Sequence, residues 1–162
     1  MFADLVGFTA YTEERGDDAA ADLALSFCHE ICELNRGHQA EDVKMIGDAC
    51  LIHAPDATIG IDLGLHIVDR IGPEHGFPGV RVGVDWGSAA ERDGDWFGTT
   101  INVASRIVAL APEGALLVTE RVREAATHLV GVSLIDQGAR ELRGLRDPIR
   151  LFIAERTKQE GP

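Results

Sequence analysis

Gly47 and Asp48 interrupt two short apolar runs, and that interruption constrains the chain more than any other stretch. Val43, Met45 and Ile46 lead in and residues 49–52 lead out, so the pattern predicts a β-hairpin over 42–53. Lys44 and Asp48 place a cation and an anion close to its turn. Taken alone, such a turn reads as a solvated hairpin tip. A second carboxylate in a similar setting changes the reading, and one stands at the start of the chain.

That carboxylate is Asp4. Phe2 and Leu5 look like the end of a strand, either short or cut from a longer chain, and a turn containing Gly7 then leads into helix-forming sequence. The backbone N–H groups of Val6, Gly7, Phe8 and Thr9 would be free at that helix start, an arrangement that suits phosphate oxygens. Read for structure alone, Asp4 only caps the turn.

Between and beyond these turns, helix and strand signals alternate. Residues 17–36 predict a helix with Asp17 as N-cap, an apolar stripe of Ala20, Leu23, Phe27, Ile31 and Leu34, and a stop at Arg36-Gly37. Residues 56–71 predict a second, striped by Ile59, Leu63, Ile67 and Ile71, with His66 beside the stripe as a helix-surface residue rather than a ligand. Residues 80–86 alternate as a strand, expected to pair across Gly87 with 88–91. After a turn at 92–95, a third helix is expected over 99–110, then a short strand at 115–119, a short helix at 120–127, and strands at 132–135 and 149–153. Hairpins interrupt the helix–strand alternation. The expectation is therefore an α+β fold, a mostly antiparallel, ferredoxin-like or palm-type sheet with helices packed on it, rather than a doubly wound parallel sheet. Residues 1–157 form one domain in this reading, followed by a polar tail at 158–162.

With 162 residues, 45% of them apolar and 26% charged, the chain can bury a real core. No apolar run approaches the ~20 residues of a membrane helix, so no membrane contact by this domain is expected. The net charge of -12 argues against nucleic acid as a partner, because phosphate backbones need a basic surface. An anionic substrate would need metal ions or a local cluster of Lys and Arg. The three cysteines do not form a disulfide framework, and Cys28 and Cys32, with His29 between them, lack enough nearby ligands for a metal site. Buried thiols in a reducing cytosol are the expectation, hence a cytoplasmic location.

Three blocks carry a resemblance: 2–9 (Phe-Ala-Asp-Leu-Val-Gly-Phe-Thr), 43–49 (Val-Lys-Met-Ile-Gly-Asp-Ala) and 95–106 (Asp-Trp-Phe-Gly-Thr-Thr-Ile-Asn-Val-Ala-Ser-Arg). In order and spacing they resemble the catalytic domains of the class III nucleotidyl cyclases, over nearly the whole chain. The resemblance implies an adenylyl cyclase that makes 3′,5′-cyclic AMP and pyrophosphate from ATP. It implies Asp4 and Asp48 as ligands of two divalent cations, Mg²⁺ or Mn²⁺, and Lys44 with Asp95 as readers of the purine edge. It implies Asn102 and Arg106 as transition-state residues and Arg143 as the cation on the terminal phosphates, with Arg146 close enough to compete. It also implies a homodimer, because in this family one protomer supplies the metal carboxylates while the other supplies base readers, Asn and Arg.

The residue chemistry agrees with these roles. Hard cations take carboxylate and phosphate oxygens, and a metal pair can activate one oxygen and stabilise another during displacement at phosphorus. Asn102 and Arg106 are spaced i, i+4 and share a helix face; the bland alternative is that both merely face solvent. Lys44 only donates and an ionised Asp95 only accepts, which complements adenine N1 and its 6-amino group and mismatches guanine twice. Other two-metal enzymes with a palm-like fold would use paired carboxylates too, but would not need Lys44 and Asp95 together with Asn102 and Arg106. A non-catalytic homology module is the alternative from another class, and it would be marked by loss of a metal carboxylate, whereas both are present.

Overall fold

The computed structural model describes residues 1–157, apart from the side chains of Asp42 and Val43; the polar tail expected at 158–162 lies outside the described residues. In chain order the elements are β1 (Phe2–Leu5), α1 (Phe8–Arg15), α2 (Asp17–His38), β2 (Glu41–Ile46), β3 (Ala49–His53), α3 (Ala57–Arg70), β4 (Val80–Val84), β5 (Ala90–Arg92), β6 (Asp95–Phe97), α4 (Thr99–Val108), β7 (Leu116–Thr119), α5 (Glu120–Ala125), β8 (Val132–Arg140) and β9 (Ile149–Arg156). Among the described residues seven strands form one sheet, ordered β2-β3-β1-β4-β7-β9-β8. Every neighbouring pair in it is antiparallel except β4 with β7. The α+β expectation holds, with that parallel pair added.

Helices cover both faces, so the inner strands are apolar in both phases instead of alternating. Ala3 and Leu5 of β1 point to α2 and α3, in a core that also holds Phe27, Ile31, Ile61, Leu63, Ile67, Val82 and Leu116. Phe2 of the same strand points the other way and packs with Leu51 on Ala104 and Val108 of α4. Val103 and Ile107 of α4 meet Leu117 and Leu151 on that second face. Burial of this kind contributes about 25 cal/mol per Å² of apolar surface.

Several boundaries differ from the sequence expectation. Strand β4 does not pair with 88–91: β1 and β7 occupy both of its edges, and residues 90–92 pair with β6 in a separate two-stranded ribbon. Helix α2 starts one residue inside Gly16, which takes the cap position at φ 86, so Asp17 serves as a first-turn anion and not as the N-cap. At its other end α2 runs through Gly37 to His38 and is closed by Gln39 in the left-handed region, φ 55. Leu34 is half-buried and Asn35 takes the last buried position. In α3, Asp56 caps the helix by accepting from Ile59 N–H at 2.8 Å; Ile61 and Leu65 join the buried face, while Ile59 is half-buried. Strand β8 does not stop at Ile135. It passes through an irregularity between Asp136 and Ala139, where Asp136 accepts from Gly138 N–H at 2.8 Å and pairs with Arg150. Of the thiols, Cys50 is buried and Cys28 and Cys32 are half-buried. Among the described residues no helix is long and apolar enough to cross a membrane.

The tightest joint lies between α4 and the sheet. A Cβ placed on Gly83 of β4 would stand 2.6 Å from Val108 N and 2.9 Å from Val108 Cα, both backbone atoms that cannot move alone. Gly83→Ala is therefore expected to lift α4 from the sheet and cost roughly 1–3 kcal/mol, as overpacking does. Urea unfolding of the two proteins measures it, and an unchanged midpoint would show that α4 is not seated as described.

Candidate active site

Asp4 lies on β1 between Ala49 of β3 and Arg81 of β4, in the face-phase of Phe2 and therefore on the side of α4. Its carboxylate accepts from Arg81 Nε at 2.7 Å and meets Arg81 Nη2 at 2.6 Å. The pair is well shielded, with 14% of the Asp4 side chain and 28% of that of Arg81 exposed. Arg81 also donates through Nη1 to the carbonyl of Ala109, just past α4, at 3.1 Å. The hairpin turn is tied to the same place, because Leu5 N–H donates to the carbonyl of Asp48 at 3.3 Å. Asp48 is half-buried, and burial pushes its carboxyl above the usual range. Its own backbone N–H pulls the other way, the nearby charge of Asp4 raises it further, and Arg81 lowers it. The two predicted metal carboxylates thus stand close enough to feel each other, in surroundings that penalise two bare anions. An oxygen-rich, electron-dense pair of this kind fits hard divalent cations.

The turn after Asp4 differs in one detail from its sequence reading. Val6 N–H is not free: it donates to the carbonyl of Gly79 at 2.6 Å. Gly7, in the left-handed region at φ 76, caps α1, and Tyr11 N–H is the first to find an intrahelical acceptor, Gly7 O, at 3.0 Å. The first N–H groups of a helix have no acceptor within it, so Gly7, Phe8 and Thr9 remain as donors and Val6 drops out.

The predicted base readers meet. Lys44 Nζ donates to Asp95 Oδ1 at 3.0 Å and to Oδ2 at 3.1 Å, joining β2 to the start of β6. Both side chains are nearly half exposed, at 49% and 44%. His53, on β3, stacks on Trp96 with ring centroids 5.2 Å apart and braces the ribbon beside them. On α4, Val103, Ala104, Ile107 and Val108 are buried, Asn102 is exposed and Arg106 half-buried, so the pair shares the outward face. A Cβ on Gly144 would lie 3.4 Å from Arg106 Nη2, which places the Arg106 guanidinium against the loop of Arg143 and Arg146. Both of those arginines are exposed and line one shallow groove.

Sequence reasoning missed Arg81 and the His53–Trp96 brace. The signal for Arg81 was its phase: it alternates with Gly83 on a strand that turns out to be central, and a cation there needs a carboxylate across the ladder. His53 and Trp96 lie in different hairpins, and nothing local joins them.

The profile of the adenylate and guanylate cyclase catalytic domain matches residues 1–155, and the chain belongs to that family. It is 39% identical over 161 residues to a pH-sensitive adenylate cyclase of Mycobacterium tuberculosis, covering 96% of this chain and 40% of the relative. It is 38% identical over 117 residues to an adenylate cyclase of Streptomyces griseus, covering 72% of this chain and 29% of that one. The chain thus spans less than half the length of these curated relatives. Among solved structures, an adenylate cyclase from Trypanosoma brucei in its monomeric state superposes with a TM-score of 0.83 at 17% identity, over 99% of this chain and 88% of the other; this shows the shared fold. Domains of this family generally use divalent metals, bind nucleotides and usually act as dimers.

The raised carboxyl of Asp48 gives a stability prediction. Its folded-state value exceeds the ordinary one, so the native state holds the proton more tightly and the ionised group costs stability above that range. Asp48→Asn is expected to raise Tm at neutral pH in EDTA. The gain should vanish as pH falls below the ordinary carboxylate value, where the wild-type group is protonated in both states. Melting curves between pH 3 and 8 decide it.

Proposed function

We propose that residues 1–157 form an adenylyl cyclase catalytic domain that converts ATP to 3′,5′-cyclic AMP and pyrophosphate, at sites shared between two copies of the chain in the cytoplasm. The observation that carries the choice of ATP is the Lys44–Asp95 pair, a donor and an acceptor brought together from two hairpins. Adenine N1 accepts and its 6-amino group donates, so the pair fits that edge; guanine reverses both.

In this reading the ribose 3′-oxygen attacks the α-phosphorus, the bond to pyrophosphate breaks, and the 3′-hydroxyl proton leaves to water or to substrate. Asp4 and Asp48 would hold two divalent cations, Mg²⁺ or Mn²⁺, which when bound would supply Lewis acidity toward the hydroxyl and the phosphate oxygens. The N–H groups of Gly7, Phe8 and Thr9 face the phosphates. Arg106 neutralises charge growing on the α-phosphate, Asn102 positions the ribose, and Arg143 meets the terminal phosphates, with Arg146 as its near neighbour. Arg81 keeps the Asp4 carboxylate aligned.

One feature supports a shared site. Met45, Ile46 and Phe97, flanking Lys44 and Asp95, are large apolar side chains left 42%, 49% and 54% exposed, as a surface awaiting a partner would be. A two-fold partner would bring its own α4 to the carboxylates.

Incubation with Mn²⁺ and ATP is expected to give cyclic AMP, and Asp4→Ala, Asp48→Ala and Arg106→Ala are each expected to abolish it. Mixing Asp48→Ala with Arg106→Ala should restore one working site in about half of the dimers. A mixture as dead as its parents, with subunit exchange shown separately, would defeat the shared site while leaving the chemistry standing.

Base choice has its own test. Each unpaired buried polar contact costs ~1–3 kcal/mol, so Lys44→Glu with Asp95→Cys should lower the ATP-to-GTP ratio of kcat/KM by ~10²-fold or more. An unmoved ratio would remove these residues from the role.

A further inference from the structure

Outside the candidate active site, one cluster of side chains brings two imidazole nitrogens and a carboxylate oxygen within 4.8 Å of one another. His38 is the last residue of α2, and Asp62 and His66 lie i, i+4 on α3. His38 Nε2 stands 2.9 Å from His66 Nδ1 and 3.2 Å from Asp62 Oδ2, and His66 Nδ1 stands 3.6 Å from the same Asp62 oxygen. We propose that His38, Asp62 and His66 form a binding site for a divalent transition-metal ion of the zinc class, separate from Asp4 and Asp48.

The tautomer carries the first part of the argument. His38 Nδ1 lies 2.8 Å from the carbonyl of Leu34, which can only accept, so Nδ1 carries the proton. In the neutral ring Nε2 is then a bare lone pair. It faces a carboxylate oxygen and a second imidazole nitrogen. With His66 in the tautomer that carries its proton on Nε2, all three atoms are acceptors, and a cation at their centre satisfies them.

The distances carry the second part. A triangle with these sides leaves a point about 2.1 Å from every corner, about 0.9 Å out of its plane, which matches zinc–nitrogen and zinc–oxygen bond lengths. The outer contacts resemble those that steady metal ligands. Leu34 O fixes the His38 ring, and Arg156 Nη2 stands 3.7 Å from the other oxygen of Asp62 while its Nε donates to Asp69 at 2.8 Å. The side chains of His38, His66 and Asp62 are 15%, 39% and 49% exposed, so the fourth position opens to water. Two imidazoles and one carboxylate select zinc, cobalt, nickel or copper and reject Mg²⁺, which demands oxygen ligands.

The position gives the ion something to do. It would clamp the end of α2 to α3, and only Gln39 and Ala40 separate His38 from β2, the strand that carries Lys44. Bound metal would thereby brace the joint from which the base-reading hairpin starts.

The test is binding, and it needs no turnover. The chain is titrated with Co²⁺ in saturating Mg²⁺, which fills oxygen sites, while visible ligand-field absorption is followed; Zn²⁺ is then titrated by calorimetry. One equivalent with a tetrahedral absorption band is expected, lost in His38→Gln and in His66→Gln and kept in Asp4→Ala. With free Zn²⁺ a hundredfold above Kd, Tm should rise by about 5 °C or more in wild type and not in the variants. His66, half-exposed, can be replaced with little risk to folding, so that variant decides the matter if His38→Gln fails to fold. Absence of stoichiometric binding in wild type would overturn the proposal. So would a band that survives both histidine changes or disappears in Asp4→Ala.

Discussion

The backbone of α4 rests directly on Gly83 of β4, and the second face of the sheet is organised by that contact. Without a side chain at Gly83 the helix axis can approach the strand closely enough for Val103, Ala104, Ile107 and Val108 to be buried together. Once that face is fixed, Asn102 and Arg106 are fixed on the other, since a helix has no freedom to turn one stripe without the other. The end of the same helix also offers the Ala109 carbonyl to Arg81, which in turn holds Asp4. A single missing methyl group thus sits beneath both the carboxylate side and the cation side of the candidate site.

The electrostatics of the carboxylates follow from the same layering. Asp4 has 14% of its side chain exposed and would be expensive as a bare anion. Arg81, its cross-strand neighbour, offsets that cost, and its reach is limited because it also donates to Ala109. Asp48, for which the described residues show no ion pair, feels burial most and the charge of Asp4 besides, against the pull of its own backbone N–H and of Arg81. One carboxylate is thus held in an ion pair and the other keeps a net burial penalty, which a cation placed beside it would relieve.

Polar contacts across the molecule join elements far apart in sequence. Lys44 and Asp95 are 51 residues apart, and His38 and His66 are 28 apart. Each joins two elements at a partly exposed surface of the fold. The two clusters share β2 between them, since His38 closes the helix that feeds that strand and Lys44 lies on it. Only a few residues of continuous chain separate the α2–α3 joint from the β2–β3 hairpin that carries Lys44.

Much of this was legible in one dimension. The Gly47-Asp48 turn, the strand at Asp4, the stripes of α2 and α3 and the i, i+4 pair on α4 are local patterns, because turn chemistry and helical or strand periodicity act over a few residues. Their order and spacing were enough to place the chain among the cyclase domains. Tertiary structure decided the rest. Residues 88–91 looked like the partner of β4, yet a strand has only two edges and β1 and β7 hold both. Val6 N–H looked free, but Gly79 arrives from a distant loop to accept it. Arg81 looked like the polar phase of an ordinary strand until Asp4 was set across from it. His66 looked like a surface residue, and it is partly exposed, but the surface it shares is made by α2. Sequence alone determined which short segments form and which chemistry they carry; strand order and helix approach, which depend on non-local packing, decided which of those groups meet.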